Sequence, residues 1–313
     1  MRVVIERYGT ALAGLALIAF FMIFAPNFAA PANILNVLRE TSFLAILALG
    51  FALALTIAEL DLSVADIASL AAVVAGWLVH KQYDPLLAVA GALAVGGVLG
   101  AFNGFGVTVL HVPSLIVTLG TAAIARGFAF MITQGVAFVG RWPVGFTDLA
   151  RGTTFRIPNL LIWLALGTCL AYVLVKWTRT GAHMMATGEA DEAARLAGIA
   201  TARMKRIGLF LSGLFAGIAA VLLAANLSSA APNMAGDYFL YAIAAVLLGM
   251  TMFEPGRPNI PGTVFAALVL KALGNGLVLL GTAYYVQDIV LGVIIIGSVA
   301  FSASVLKKAA FRV

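Results

Sequence analysis

The chain has 313 residues, 63% of them hydrophobic and 10% charged, and its mean hydropathy is +1.07. Such a composition excludes an ordinary water-soluble domain and reads as a polytopic membrane protein. The net charge of +6 comes without an aromatic-basic stripe, so it does not point to nucleic acid.

Inside hydrocarbon every backbone N–H and C=O needs an internal partner, which leaves helices or a closed barrel; long uninterrupted apolar runs exclude a barrel's alternation. With about 17–25 residues per crossing, the sequence predicts an all-α fold of about ten transmembrane helices in one transmembrane domain, 1–313.

The first run, 9–25, follows Arg2 and Arg7 and ends near Ala29 and Ala30, as a signal peptide would. It is long for one and reads as a retained first helix. The second and third runs, 41–58 and 63–80, are separated by Glu59, Asp61 and Ser63. Non-helical backbone at such a break is tolerated where it lines a protein-buried or wet cavity. Carboxylates there can accept hydrogen bonds from hydroxyl groups in a pathway, and equally suit helix capping by Asp61 or Ser63 and a gate structure.

The fourth run, 86–108, carries Gly96, Gly100 and Gly104 at helix-packing spacing and the Asn103-Gly104 dipeptide. The fifth, 113–133, contains Arg126, and the sixth, 159–176, contains Cys169. As the only cysteine, Cys169 excludes an intramolecular disulfide and a cysteine-rich metal site. His80, His111 and His183 stand in no ligand motif.

Between 177 and 205 lies a long polar loop whose middle reads as a short helix. Thr187 or Gly188 can start it, Glu189, Asp191 and Glu192 favour its N-terminal end, and Gly198 can end it in a left-handed cap. Ala193, Leu196 and Ala197 share one face. That face fits either a docking surface or a solvated surface helix.

The seventh run, 206–226, repeats the close-packing glycines at Gly213 and Gly217. The eighth, 238–252, is short; the ninth, 262–281, holds Lys271 and Asn275-Gly276; the tenth is 286–305. Arg126 and Lys271 are expected either to pair with acids or to extend to the interface. Asn103 and Asn275, in helices running in opposite directions, are pathway candidates or amides bonding between helices. All ten prolines fall at or outside the edges of these runs, with Pro85, Pro113 and Pro158 at helix starts.

With the N-terminus inside, twelve of the nineteen Lys and Arg residues lie on inner segments: Arg2, Arg7, Lys176, Arg179, Arg195, Arg203, Lys205, Arg206, Arg257, Lys307, Lys308 and Arg312. The positive-inside rule therefore places both termini and the 177–205 loop in the cytoplasm. No G-x-x-x-x-G-K-[ST] phosphate loop occurs, so any ATP is bound by another subunit.

Three stretches resemble the permease subunits of bacterial ABC importers for monosaccharides of the ribose, xylose and galactose type. These are Leu60-Asp61-Leu62-Ser63-Val64, then Glu192-Ala193-Ala194-Arg195-Leu196-Ala197-Gly198-Ile199 through Leu227-Ser228-Ser229-Ala230, and Asn275-Gly276-Leu277 with the helix after it. The resemblance implies an inner-membrane transporter subunit without an ATPase site of its own. In the family the E-A-A-x-x-x-G segment is a coupling helix seated in a cleft of the ATPase, a role that passes to Glu192, Ala193, Ala194, Leu196 and Gly198. It further implies a cytoplasmic ATP-binding subunit holding ATP and Mg, an extracytoplasmic solute-binding protein, a second permease copy or a similar permease, and membrane lipid around the spans.

Two departures stand out. Glu59 or Leu60 before D-L-S-V and Ala65 after it replace the usual flanking glycines, and Gly249 to Arg257 replaces a Gly-rich stretch, so the 249–261 loop is expected to be atypical. The rival expectations are a secondary transporter using Glu59, Asp61 or Asp66 as proton relays and a non-transporting membrane scaffold.

Overall fold

A computed structural model describes the backbone of residues 2–283 and 285–310 and the side chains of residues 8–283 and 285–300. Arg312 lies outside the described residues, as do the side chains of Arg2, Arg7, Lys307 and Lys308. The order is α1 (Arg2–Phe24), α2 (Pro31–Thr56), α3 (Val64–His80), α4 (Pro85–Thr108), α5 (Ser114–Thr133), β1 (Phe138–Val139), α6 (Val144–Arg151), β2 (Thr153–Thr154), β3 (Ile157–Pro158) and α7 (Asn159–Trp177). There follow α8 (Arg179–Glu189), α9 (Asp191–Leu196), α10 (Thr201–Leu227), β4 (Ser229–Ala230), α11 (Tyr238–Gly249), α12 (Ile260–Leu279) and α13 (Tyr285–Ala310).

The fold is all-α apart from four two-residue strands, and each of the ten predicted runs falls on a helix. Among the described residues, 6 helices are long and apolar enough to cross a membrane, and Tyr8–Phe24, Val64–His80, Tyr238–Gly249 and Tyr285–Ala300 are shorter apolar helices. Helix α2 starts at Pro31, well before the predicted 41. The 134–158 connection, to which the sequence assigned no element, holds α6, a β2·β3 hairpin, and β1 paired antiparallel with β4. Thr187 and Gly188 belong to α8 instead of starting the next helix.

Two compact units divide the chain, residues 1–48 with 240–313 and residues 49–239. In the first, α1 packs on α12 around Phe21, Ala25, Phe28, Val37 and Ala272. Phe21 presses against Gly276, where a Cβ would collide with its ring. The polar residues that open α2 are held by this unit. Asn33 and Asn275 exchange side-chain amide hydrogen bonds of 2.9 and 3.0 Å. Lys271 Nζ lies 3.0 Å from Glu40 Oε2 and 5.4 Å from the Tyr241 ring centroid. The 249–261 loop is tied by Asn259, whose Nδ2 donates to the carbonyls of Gly249 (3.0 Å) and Met252 (3.1 Å) while its Oδ1 accepts from Gly262 N (2.8 Å) at the start of α12.

In the second unit α3 packs on α4, α5 and α10, and α4 and α10 form the closest seam. A Cβ on Gly96 would run into the Gly213 carbonyl, and one on Gly213 into the Gly96 carbonyl. Two bare backbones thus meet face to face, which no larger residue permits. Leu70 and Val73 of α3 interlock with Ala125 and Ala129 of α5 beside this seam. Arg126 is paired with an acid: its Nε and Nη2 donate to the two Asp66 oxygens at 2.9 and 3.1 Å.

Candidate functional site

Helix α2 stops where Ala58 takes a left-handed conformation, φ 57°, and the chain runs non-helically to Ser63. Its backbone is satisfied by hydroxyls from α5. Leu60 N donates to Ser114 Oγ (3.3 Å), Leu62 N to Thr118 Oγ1 (3.1 Å), and Thr118 Oγ1 donates to the Leu60 carbonyl (3.2 Å). Buried irregular backbone survives at membrane depth only with partners of this kind. The i, i+4 spacing of Ser114 and Thr118 was visible in the sequence, but which segment they serve was not.

Asp61, Ser63 and Asn103 come together and are fully buried. Ser63 sits at the N-cap of α3 without making a capping bond. Its backbone N–H, at 3.0 Å, and its hydroxyl both donate to Asp61 Oδ1, so Asp61 supplies the acceptor that was expected of either residue. Asn103 Nδ2 of α4 donates to Ser63 Oγ at 2.8 Å. Ser212 of α10 approaches the same carboxylate, yet its hydroxyl, Asp61 Oδ2 and Asn103 Oδ1 close no hydrogen bond of ordinary geometry. The knot therefore ties the start of α3 to α4. Asn275 is not part of it and pairs with Asn33.

Glu59 points elsewhere, toward the 177–205 segment. Lys205, in the second turn of α10, places Nζ 2.9 Å from Glu59 Oε1 and 2.9 Å from Asp191 Oδ2. One ammonium thus joins the α2–α3 loop, α10 and the first residue of α9. The Lys205 hydrogen bond, followed by that of Thr201, holds the Asp191 carboxyl below the usual carboxylate range. Lys205 is absent from the residues that sequence reasoning singled out for a role, because an isolated Lys beside Arg203 and Arg206 reads as one more inner positive charge.

Helix α8 supports this corner from below. Thr178 caps it, its hydroxyl accepting from Gly181 N at 3.0 Å. At its far end Gly188 lies against the Thr56 carbonyl at the end of α2, with no room for a Cβ. Met184 and Met204 fill the space between, against Ala54, Ile57 and Leu209. The chain then turns at Ala190 into α9.

Helix α9 is six residues long and closes at Gly198, φ 84°. Ile199 N donates to the Ala194 carbonyl at 3.0 Å, the wide turn that a left-handed residue at this point allows. Ala194 is buried, Glu192, Ala193 and Ala197 are exposed, and Leu196 is 80% exposed. Glu192 Oε1 accepts from Arg195 Nη2 at 2.6 Å on the solvent side. A small apolar knob with a charged rim therefore projects from a base that is clamped by Lys205.

A family model described as the permease component of branched-chain amino acid transport systems matches residues 33–299. The chain belongs to this permease family. It is 37% identical to the ribose import permease protein RbsC of Escherichia coli strain K12 over 291 residues, covering 90% of this chain and 89% of that one. Identity to the ribose import permease protein of Bacillus subtilis strain 168 is 33% over 294 residues, 94% of this chain and 91% of the relative. With the D-allose transport system permease protein AlsC of Escherichia coli K12 it is 30% over 304 residues, 96% and 93%. Multi-pass residence in the inner membrane accords with this family and with the apolar helices.

Proposed function

We propose that this permease is the membrane subunit of an ATP-driven importer for a monosaccharide, opening alternately to the two sides of the inner membrane under the control of a separate ATPase. The observation that carries the reading is the Lys205 clamp, which fixes the exposed knob of α9 to the break between α2 and α3. A force applied to α9 reaches two membrane helices through one ammonium. The sugar permeases among the relatives support a sugar as solute.

In this account Glu192, Ala193, Ala194, Leu196 and Gly198 form the contact with the ATPase, which binds ATP and Mg. Both termini and the 177–205 segment face the cytoplasm, and a solute-binding protein delivers sugar on the other side. Two permease copies, or this chain and a similar one, flank the pathway as single permease domains. The knot of Asp61, Ser63 and Asn103 serves as gate structure and not as a sugar contact, since all three side chains are buried. ATP drives the cycle only if it binds one conformation better than the other, and α9 conveys that preference.

Co-purification tests the reading. Glu192→Lys and Ala193→Trp, both on the exposed side of α9, are expected to insert into the membrane normally and to lose the ATPase. Unchanged assembly with unchanged uptake contradicts the proposal.

A further inference from the structure

Arg203, Arg206 and Phe210 stand at i, i+3 and i+7 along α10, and all three are exposed. With Ile207 and with Ala101 of α4 they line an open cleft of about 360 Å³. The helices are close here: a Cβ on Gly104 would stand 3.0 Å from Arg206 Cα and 3.2 Å from its Cγ, so the arginine stem lies along α4. Among the described residues neither arginine has a carboxylate partner. Arg206 Nε reaches only the Ala202 carbonyl, at 3.4 Å, whereas Lys205 between them turns to Glu59 and Asp191. Phe210, Ile207 and Ala101 give the cleft an apolar wall beside this charged mouth, the Phe210 ring lying along α4 at Gly97.

Two unneutralised guanidiniums above an apolar wall match one kind of molecule. Guanidinium forks bind phosphate oxygens bidentately, the wall suits acyl chains, and basic clefts between helices at the membrane boundary take anionic headgroups. A soluble anion would leave the wall bare. We propose that this α4–α10 cleft binds an anionic phospholipid, its phosphate on Arg203 and Arg206 and its chains along Phe210 and α4. The inference rests on the orientation given above, which puts the cleft at the inner leaflet.

The test is lipid retention by the purified full-length permease, read by mass spectrometry after exchange into mixed phosphatidylglycerol and phosphatidylcholine vesicles. Wild type is expected to retain phosphatidylglycerol selectively. Arg203→Gln/Arg206→Gln lowers that selectivity by about 25-fold, roughly five-fold per arginine. Ala101→Trp, which fills the cleft and leaves the charges, lowers it as well. Both variants are checked for unchanged thermal unfolding in phosphatidylcholine alone.

Equal retention by wild type and both variants overturns the proposal. So does inorganic phosphate that protects wild type from unfolding as well as the lipid does, which would assign the pair to a free anion. Loss of the ATPase from the double variant with lipid selectivity intact assigns it to a protein partner and overturns it too. None of these readouts requires ATP or solute. An outward-facing 177–205 segment, detected by labelling Leu196→Cys in intact cells, would instead sink the orientation on which the leaflet assignment rests.

Discussion

Lys205 and Glu59, in elements separated along the chain by the four apolar helices α3, α4, α5 and α7, meet at 2.9 Å, with side chains only 23% and 11% exposed. A half-buried ammonium with two carboxylate partners is costly to disturb, since removing it strands Glu59 away from water. Lys205→Gln is expected to lower stability by about 1–3 kcal/mol. It should also weaken the response of the ATPase to solute-loaded binding protein, measured as the stimulated over the basal rate. A Glu59→Gln/Lys205→Gln double variant should lose less than the sum of the two single changes. Strict additivity would contradict a direct link.

Gly188 and Thr56 make a second joint in the same corner. Because the neighbour is a backbone carbonyl at the end of α2, it cannot swing aside as a flexible side chain would. Gly188→Ala is expected to push α8 off α2 at a cost of about 1–3 kcal/mol, the usual range for overpacking. The measurement is thermal unfolding of the purified subunit. A Tm equal to wild type would show that the joint yields freely.

Acid should loosen α9. The Asp191 carboxyl is held below its ordinary range, so its contribution is present above the unfolded value of about 3.9 and is lost as pH falls through the lower folded value. Hydrogen exchange in α9, compared between wild type and Asp191→Asn, should therefore differ at pH 5 and converge only once the pH has fallen below the folded value. Identical exchange at pH 5 would remove Asp191 from the clamp.

Asn103→Leu takes the donor from Ser63 Oγ inside a fully buried knot and is expected to cost about 1–3 kcal/mol. Asp61→Asn keeps an acceptor of the same shape for the Ser63 N–H and hydroxyl. If the knot is gate structure, the KM for sugar in Asp61→Asn stays within about two-fold of wild type, because no sugar contact is lost. A large rise in KM at unchanged kcat would make Asp61 part of the binding site.

The membrane helices were legible because hydrocarbon demands length and apolarity, which are written locally in the chain. The start of α2 was not, because Asn33 and Glu40 look like loop residues until their partners Asn275 and Lys271 are known. Such partners lie far away in sequence. For the same reason the Lys205 clamp was hidden while its parts, Glu59 and Asp191, were already noticed for other roles. Helix α6 and the two-residue strands escaped because elements so short carry almost no periodic signal. The end of α9 at Gly198 was readable, since a left-handed cap is local chemistry. Its start was misplaced because the contact of Gly188 with Thr56, which keeps 187–189 in α8, joins two distant helices.

Sugar uptake into sealed vesicles reconstituted with the permease and its binding protein, with and without the ATPase, tests the central claim most directly. The account predicts uphill accumulation only when the ATPase and ATP are present, its loss with Ala193→Trp, and no dependence on a proton gradient. Accumulation by the permease alone, or uptake that follows the proton gradient and ignores ATP, would contradict it.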